Sequence, residues 1–225
     1  DGFKVADNYE ITVINGELEV VPRPIIITTG TSTWMYDGKL HDDMNFTVTS
    51  ELQFVNNEQF VVLGAIAVTE VKGVVNNVFT KWAITDEQGN ETYVDGYSIK
   101  NNYLVSFEYG TLEITPRPIY IVTGSADKTF DNTRLECGIA ELMRPEGYED
   151  LVDSHSIIIP TELPGVIYYT AEPVKNEFAI TIRDGERDVT GNYAIDYTYG
   201  TLRIDKRFIQ INTNSFSEVY DGESH

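Results

Sequence analysis

Tyr103-Leu-Val105-Ser-Phe107-Glu-Tyr109-Gly110-Thr-Leu112-Glu-Ile114-Thr-Pro116-Arg117 is the stretch that decides how this chain is read. Tyr103, Val105 and Phe107 fall on alternate residues, and Leu112 and Ile114 resume the alternation beyond Gly110. A period of two is what one buried face of a β-strand requires. A glycine between the two runs predicts a turn, because glycine accepts positive φ without steric cost. The segment therefore reads as a β-hairpin.

The pattern occurs twice more. Tyr9-Glu-Ile11-Thr-Val13 leads through Gly16 to Leu18, Val20 and Arg23, and Tyr193-Ala-Ile195-Asp-Tyr197 leads through Gly200 to Leu202, Ile204 and Arg207. Tyr9, Gly16 and Arg23 recur 94 residues later as Tyr103, Gly110 and Arg117, and these recur 90 residues later as Tyr193, Gly200 and Arg207. Each Arg opens a further alternating run, with Ile25 and Ile27, Ile119 and Ile121, or Ile209 and Ile211. An aromatic-Asp turn follows at the same offsets: Tyr36-Asp37-Gly38, Phe130-Asp131-Asn132 and Tyr220-Asp221-Gly222. Asp-Gly and Asp-Asn are turn formers, and the aromatic is expected to pack on the sheet before the turn. The middles align less well, Val71-Lys-Gly73 being matched to Leu163-Pro-Gly165. Mixed apolar spacing between Leu135 and Leu151 suggests a short helical turn, limited by Pro145 and Gly147.

Self-similarity at such a period is the mark of a repeat protein. It divides the chain into the C-terminal hairpin of an upstream repeat (1–21), two whole modules (22–116 and 117–206) and the opening strand and turn of a further repeat (207–225). The expected fold is all-β: tandem small β-sandwich or β-grasp-like modules. Val21-Pro-Arg23-Pro and Thr115-Pro-Arg117-Pro form short Pro-flanked linkers, which restrict φ and favour extension. A lone hairpin such as 1–21 is marginal, and 207–225 carries the strand and turn that it lacks. In a continuous array or fibre, the tail of one copy would complete the head of the next.

Asp188-Val-Thr-Gly191-Asn-Tyr193-x-Ile195-x-Tyr197-x-x-Gly200-Thr-Leu202-x-Ile204, with the later Tyr220-Asp221-Gly222, resembles the MBG-type (YDG-containing) tandem repeats of bacterial cell-surface and adhesin proteins. The resemblance covers the chain as repeats, with close matches at the hairpin and the aromatic-Asp turn. Phe130-Asp131-Asn132 departs from the pattern. The resemblance implies an extracellular location on the bacterial surface, in a cell-wall stalk or surface fibre. It carries over no catalytic or ligand-binding residue.

Charge narrows the partners. Asp and Glu number 36 against 16 Lys and Arg, for a net charge of −20. That argues against nucleic acid and against anionic membrane surfaces. No apolar run reaches the ~18 residues of a spanning helix, so no membrane insertion is expected in this segment. Cys137 is the single cysteine, so no intrachain disulfide forms and a packing role is expected.

Catalytic motifs are missing from the sequence. There is no Gly-x-Ser-x-Gly elbow and no phosphate-cradling Gly loop, and His41, His155 and His225 are far apart without zinc-ligand spacing. The chain is expected not to be an enzyme and to need no cofactor. Calcium is the better ionic candidate, through Asp86, Asp127, Asp131, Asp184 and Asp188, although none has EF-hand spacing and turn chemistry accounts for each. Trp34 stands where the other copies have Lys128 and Glu218, so it is expected to be exposed. An exposed Trp can stack on a sugar or anchor a protein, and the bland alternative is a contact with a neighbouring unit. Trp82, within Val78–Ile84, is expected in the core. The function expected is a non-catalytic, stiff spacer whose partners are neighbouring repeats. The alternative is an adhesin module that recognises a host glycan or protein.

Overall fold

The computed structural model describes residues 8–91, 93–94 and 97–224, excepting the side chains of 93–94 and 97–99; residues 1–7 of the N-terminal segment and His225 lie outside. Regular structure among these residues is β-strand, with short 3-10 turns such as Ile99–Asn102 and Thr190–Asn192. No helix among them is long and apolar enough to cross a membrane. The all-β expectation holds. The helical turn expected after Leu135 does not form: Leu135–Glu136 and Ala140–Met143 are strands, each alternating half-buried and exposed residues.

The chain folds as two compact units. Unit 1 comprises Asp1–Thr33, Leu40–Val68 and Gly73–Glu113; unit 2 comprises Trp34–Lys39, Thr69–Lys72 and Ile114–His225. The division near residue 114 lies close to the 116/117 boundary of the repeat. Two short pieces of the first repeat, Trp34–Lys39 and Thr69–Lys72, nevertheless belong to unit 2.

In unit 1, Arg23–Thr29 runs parallel to Tyr103–Glu108 with Arg23 opposite Tyr103, and antiparallel to Phe46–Val48. Ile25 and Ile27 are fully buried beneath it with Phe60, Phe79 and Ile84. Gln59–Ala65 pairs with Phe79–Thr85, and its Phe60 stacks on Trp82 at 5.2 Å. Trp82 is half-buried and packs against this core instead of lying within it. Unit 2 repeats the plan. Arg117–Thr123 runs parallel to Tyr193–Thr198 with Arg117 opposite Tyr193, and antiparallel to Ala140–Met143. Ile119, Ile121, Ile182, Leu202 and Ile204 are fully buried there. Parallel neighbours need a long crossover, and in each unit most of the module supplies it.

The expected hairpin is not a hairpin. Tyr103–Glu108 pairs with Arg23–Thr29, whereas Thr111–Thr115 lies between Ser32–Met35 and Val75–Asn76 in another sheet. Tyr193–Thr198 and Thr201–Asp205 part in the same way. The Tyr-Gly bend is a corner at which the chain changes sheet. Gly110 and Gly200 are there for space and not for positive φ. A Cβ on Gly110 would lie 2.3 Å from the Gly30 carbonyl oxygen, and one on Gly200 would lie 2.2 Å from that of Gly124. Both distances are far inside van der Waals contact.

Backbone turned inward at a corner must find partners, because a buried, unpaired carbonyl is costly. In unit 1 the Thr29 hydroxyl accepts from Gly110 N–H at 2.9 Å and donates to the Asn77 carbonyl at 2.8 Å. The Asn77 amide donates to the carbonyls of Gly30 and Asp43 at 3.0 and 2.9 Å. In unit 2, Thr123, Gly200 and Asn176 make the same set, with Asn176 donating to Gly124 and Cys137 carbonyls at 2.9 Å each. Asn77 and Asn176 are fully buried. Cys137 is buried as a free thiol beside this corner.

Residues 8–22 form no strand and are exposed, as are residues 206–224, so neither end forms the strands read from its pattern. In the whole modules the equivalent strands rest on a parallel neighbour and a core. Residues 8–22 have neither among the described residues.

Strand pairing also revises the alignment of the module middles. His41–Asp42 pairs with Ala67–Val68, and Leu135–Glu136 pairs with Gly165–Val166. Ala67 therefore corresponds to Gly165, and the piece Thr69–Lys72 corresponds to residues 167–170. Gly73 is not the counterpart of Gly165.

Candidate functional site

The aromatic-Asp turn has one geometry in all three copies. Asp37, Asp131 and Asp221 each accept the backbone N–H two residues on at 2.9 Å. The residue after each Asp has positive φ: 75° at Gly38, 65° at Asn132 and 90° at Gly222. Glycine and asparagine are the residues that tolerate this region. The turn thereby fixes where the preceding aromatic side chain points.

In unit 2 the ring of Tyr36 enters a closed seat and is only 1% exposed. It packs edge-on against Tyr193, with centroids 5.6 Å apart and planes at 77°, and tilts over His155 at 5.9 Å. The Tyr193 hydroxyl accepts from Val152 N–H at 3.2 Å and bonds to Nδ1 of His155 at 2.5 Å. The second piece, Thr69–Lys72, closes the seat: Val71 N–H donates to Oδ1 of Asn192 at 2.8 Å, and Glu70 pairs with Arg187 at 2.5 Å. Arg117 donates to the carbonyl of Asp150 at 2.5 Å and to that of Tyr36 at 3.4 Å.

Burial governs the electrostatics here. It raises the pKa of Tyr36 and of Tyr193 and lowers that of His155, the last against an opposing pull from Asp184. His155 is therefore biased toward the neutral form. The Tyr36 hydroxyl, near Asn192, is buried without a hydrogen bond of good geometry. This assembly is suited to holding a chain segment in place by aromatic packing, an ion pair and a backbone hydrogen bond.

Unit 1 has the equivalent tyrosine in a related setting. The Tyr103 hydroxyl accepts from Val55 N–H at 3.2 Å, and Glu58 stands where unit 2 has His155. Phe54 covers the ring at 5.0 Å. Arg23 donates to the Gln53 carbonyl at 2.8 Å, as Arg117 does to that of Asp150. Tyr9 and Tyr220 are 69% and 91% exposed, and Gly16 and Arg207 lie in the exposed end segments.

Trp34 is half-buried in the strand Ser32–Met35, so the expectation of an exposed ring is corrected. Alternation in that strand turns Trp34 inward, and its carbonyl accepts from the Thr115 hydroxyl at 3.2 Å. The five acidic candidates are not brought together. Asp86 accepts from the N–H groups of Gln88 and Asn90, Asp188 from that of Thr190, and Asp184 pairs with Arg187. Asp127 lies on the exposed side of Ala126–Thr129. Lys128 and Thr133 hold the Asp131 carboxyl well below the usual carboxylate range. Among the described residues, no group of three or more His, Cys, Asp or Glu could hold a metal ion.

The sequence assigns no structural role to Asn77 or Asn176 and offers His155 only as a zinc ligand without the spacing for one. A signal existed for the asparagines, since Val75-Asn-Asn77 and Val174-Lys-Asn176 share Val-x-Asn, but they are 99 residues apart, outside the 94 and 90 of the flanking pattern. His155 carries no signal, because the same place in unit 1 is Glu58. Comparison with protein-family models, with curated proteins and with solved structures finds no significant match.

Proposed function

We propose that this chain is a non-catalytic, stiff spacer made of tandem β-modules, a structural repeat of a bacterial cell-surface stalk, fibre or adhesin. The observation that carries this reading is the folding of Trp34–Lys39 and Thr69–Lys72 into unit 2. Two loops of the first repeat are thus counted in the next compact unit, where Tyr36 is buried, so that more of the chain than a single linker connects successive repeats. Pro116 alone separates the strands Thr111–Thr115 and Arg117–Thr123, which leaves no slack. The strongly acidic shell supports the same role by keeping neighbouring stalks apart in solution. Neighbouring repeats are the partners this reading names. Recognition of a host glycan or protein through Trp34 has less support, since that ring is half-buried.

Spin labels at exposed Gln88 and Glu172, in a Cys137→Ala background, test the proposal. A stiff spacer gives one narrow distance distribution. A broad distribution, which Tyr36→Ala leaves unchanged, would reject it.

A further inference from the structure

Among the described residues the seat of Tyr36 is used once, and the repeat carries the parts for using it again. Phe130 is the counterpart of Tyr36. By the pairing of Ala67–Val68 and Gly165–Val166 with their equivalent strands, Tyr168 and Tyr169 are the counterparts of Glu70 and Val71. These three residues do not lie apart on the surface. Together with Lys206, Arg207 and Ile209 they line one open groove of about 460 Å³ in unit 2. Phe130 is half-buried and stacks on Tyr168 at 6.5 Å, while Lys206 lies 4.6 Å over the ring of Tyr169. Tyr168, Tyr169 and Ile209 are 71%, 47% and 74% exposed. Tyr36, in the equivalent place, is 1% exposed.

We propose that this groove is the docking surface for a further module of the same kind, which would receive Phe130 at its Asn-Tyr corner as Asn192 and Tyr193 receive Tyr36. The inference rests on the spacer reading and names the contact that would join successive repeats. The lock already present specifies the occupant: a tyrosine to meet the Phe130 ring edge-on, an asparagine to accept from the Tyr169 N–H, and an arginine in the place of Arg187. Tyr168 offers that arginine an aromatic face where Glu70 offers a carboxylate, so a cation–π contact replaces the ion pair. Phenylalanine suits the position, because the hydroxyl of Tyr36 makes no good hydrogen bond in the seat.

The test is a chain in which residues 1–206 are followed by a second copy of residues 117–206. Phe130→Ala is made in the first copy only, and the same substitution is made in the parent chain of 225 residues. Docking predicts that the substitution lowers Tm by roughly 5 °C or more in the extended chain and by no more than about 2 °C in the parent, as for a buried against a half-exposed ring. It also predicts that exchange of the Tyr169 amide slows at least tenfold on extension, an order-of-magnitude expectation for an amide gaining a buried partner. Equal Tm shifts in both chains with unchanged exchange would overturn the docking and leave the spacer reading standing. If the appended copy adds no folded β signal, both fall. Binding of the parent chain to a glycan array that is lost with Tyr168→Ala would assign the groove to a sugar and overturn the proposal.

Discussion

Replacing Asn176 with alanine probes the corner on which each module is built. The side chain is fully buried and donates to two carbonyls, those of Gly124 and Cys137, at 2.9 Å each. Alanine leaves both acceptors short of a donor inside the protein, at about 1–3 kcal/mol each. The volume of the lost amide adds to this, while some relief comes from Oδ1, which has no partner in the native state. The expected loss is therefore about 3–5 kcal/mol, a large share of the roughly 5–15 kcal/mol that stabilises a typical domain. Asn77→Ala should cost a similar amount, since its amide donates to Gly30 and Asp43 carbonyls in the same geometry. Urea unfolding followed by circular dichroism measures both. Asn77→Ala should weaken the transition of unit 1 and Asn176→Ala that of unit 2. A loss under about 1 kcal/mol at either site would mean that the carbonyls find other partners and that the corner does not depend on asparagine.

Tyr36→Phe removes a buried hydroxyl without a good partner, so unfolding should show no loss, or a gain of up to about 1 kcal/mol, whereas Tyr36→Ala should cost about 3–5 kcal/mol. The pKa of His155 is lowered by burial, so its contribution to stability is present above the unfolded value near 6.5 and is lost as pH falls through that value toward the folded one. Equilibrium unfolding between pH 7.5 and about 5 should show this decline, and His155→Gln should flatten it. Asp43 and Asp188 have lowered pKa values, from hydrogen bonds with Ser32 and Asn45, which outweigh burial at Asp43, and with Thr190 at Asp188. Their contribution holds above the unfolded carboxylate value and fades below it, which acid titration of the Asp43→Asn variant checks. Because no three of the acidic candidates come together among the described residues, millimolar calcium or a chelator should move Tm by less than about 1 °C in scanning calorimetry.

Much of the architecture was legible in the sequence, for a physical reason. Alternation at Tyr103, Val105 and Phe107, and again at Leu112 and Ile114, reflects inward and outward faces, and that survives whichever sheet the strand joins. What alternation cannot tell is the identity of the partner strand. Gly110 reads as a turn residue, yet the space it leaves is filled by the carbonyls of Gly30 and Thr29, residues 80 and 81 positions away in the chain. The aromatic-Asp turn was legible because its asparagine or glycine is demanded locally by positive φ. Its destination was not, since Tyr36 packs on Tyr193 and His155 and no local rule connects them. Trp34 was misjudged for a related reason: Lys128 and Glu218 at its counterparts suggested a solvent-facing site, whereas long side chains tolerate half-burial. Turn chemistry accounts for Asp86, Asp131 and Asp188, which accept backbone N–H groups two residues on, whereas Asp127 and Asp184 lie in strands.

Interstrand nuclear Overhauser contacts measured on the uniformly labelled chain test the central claim most directly. If the same building block is used twice, contacts of parallel type will join Arg23–Thr29 to Tyr103–Glu108 and, in matching register, Arg117–Thr123 to Tyr193–Thr198. Antiparallel contacts between Tyr103–Glu108 and Thr111–Thr115, or a parallel pair in one unit only, would contradict it.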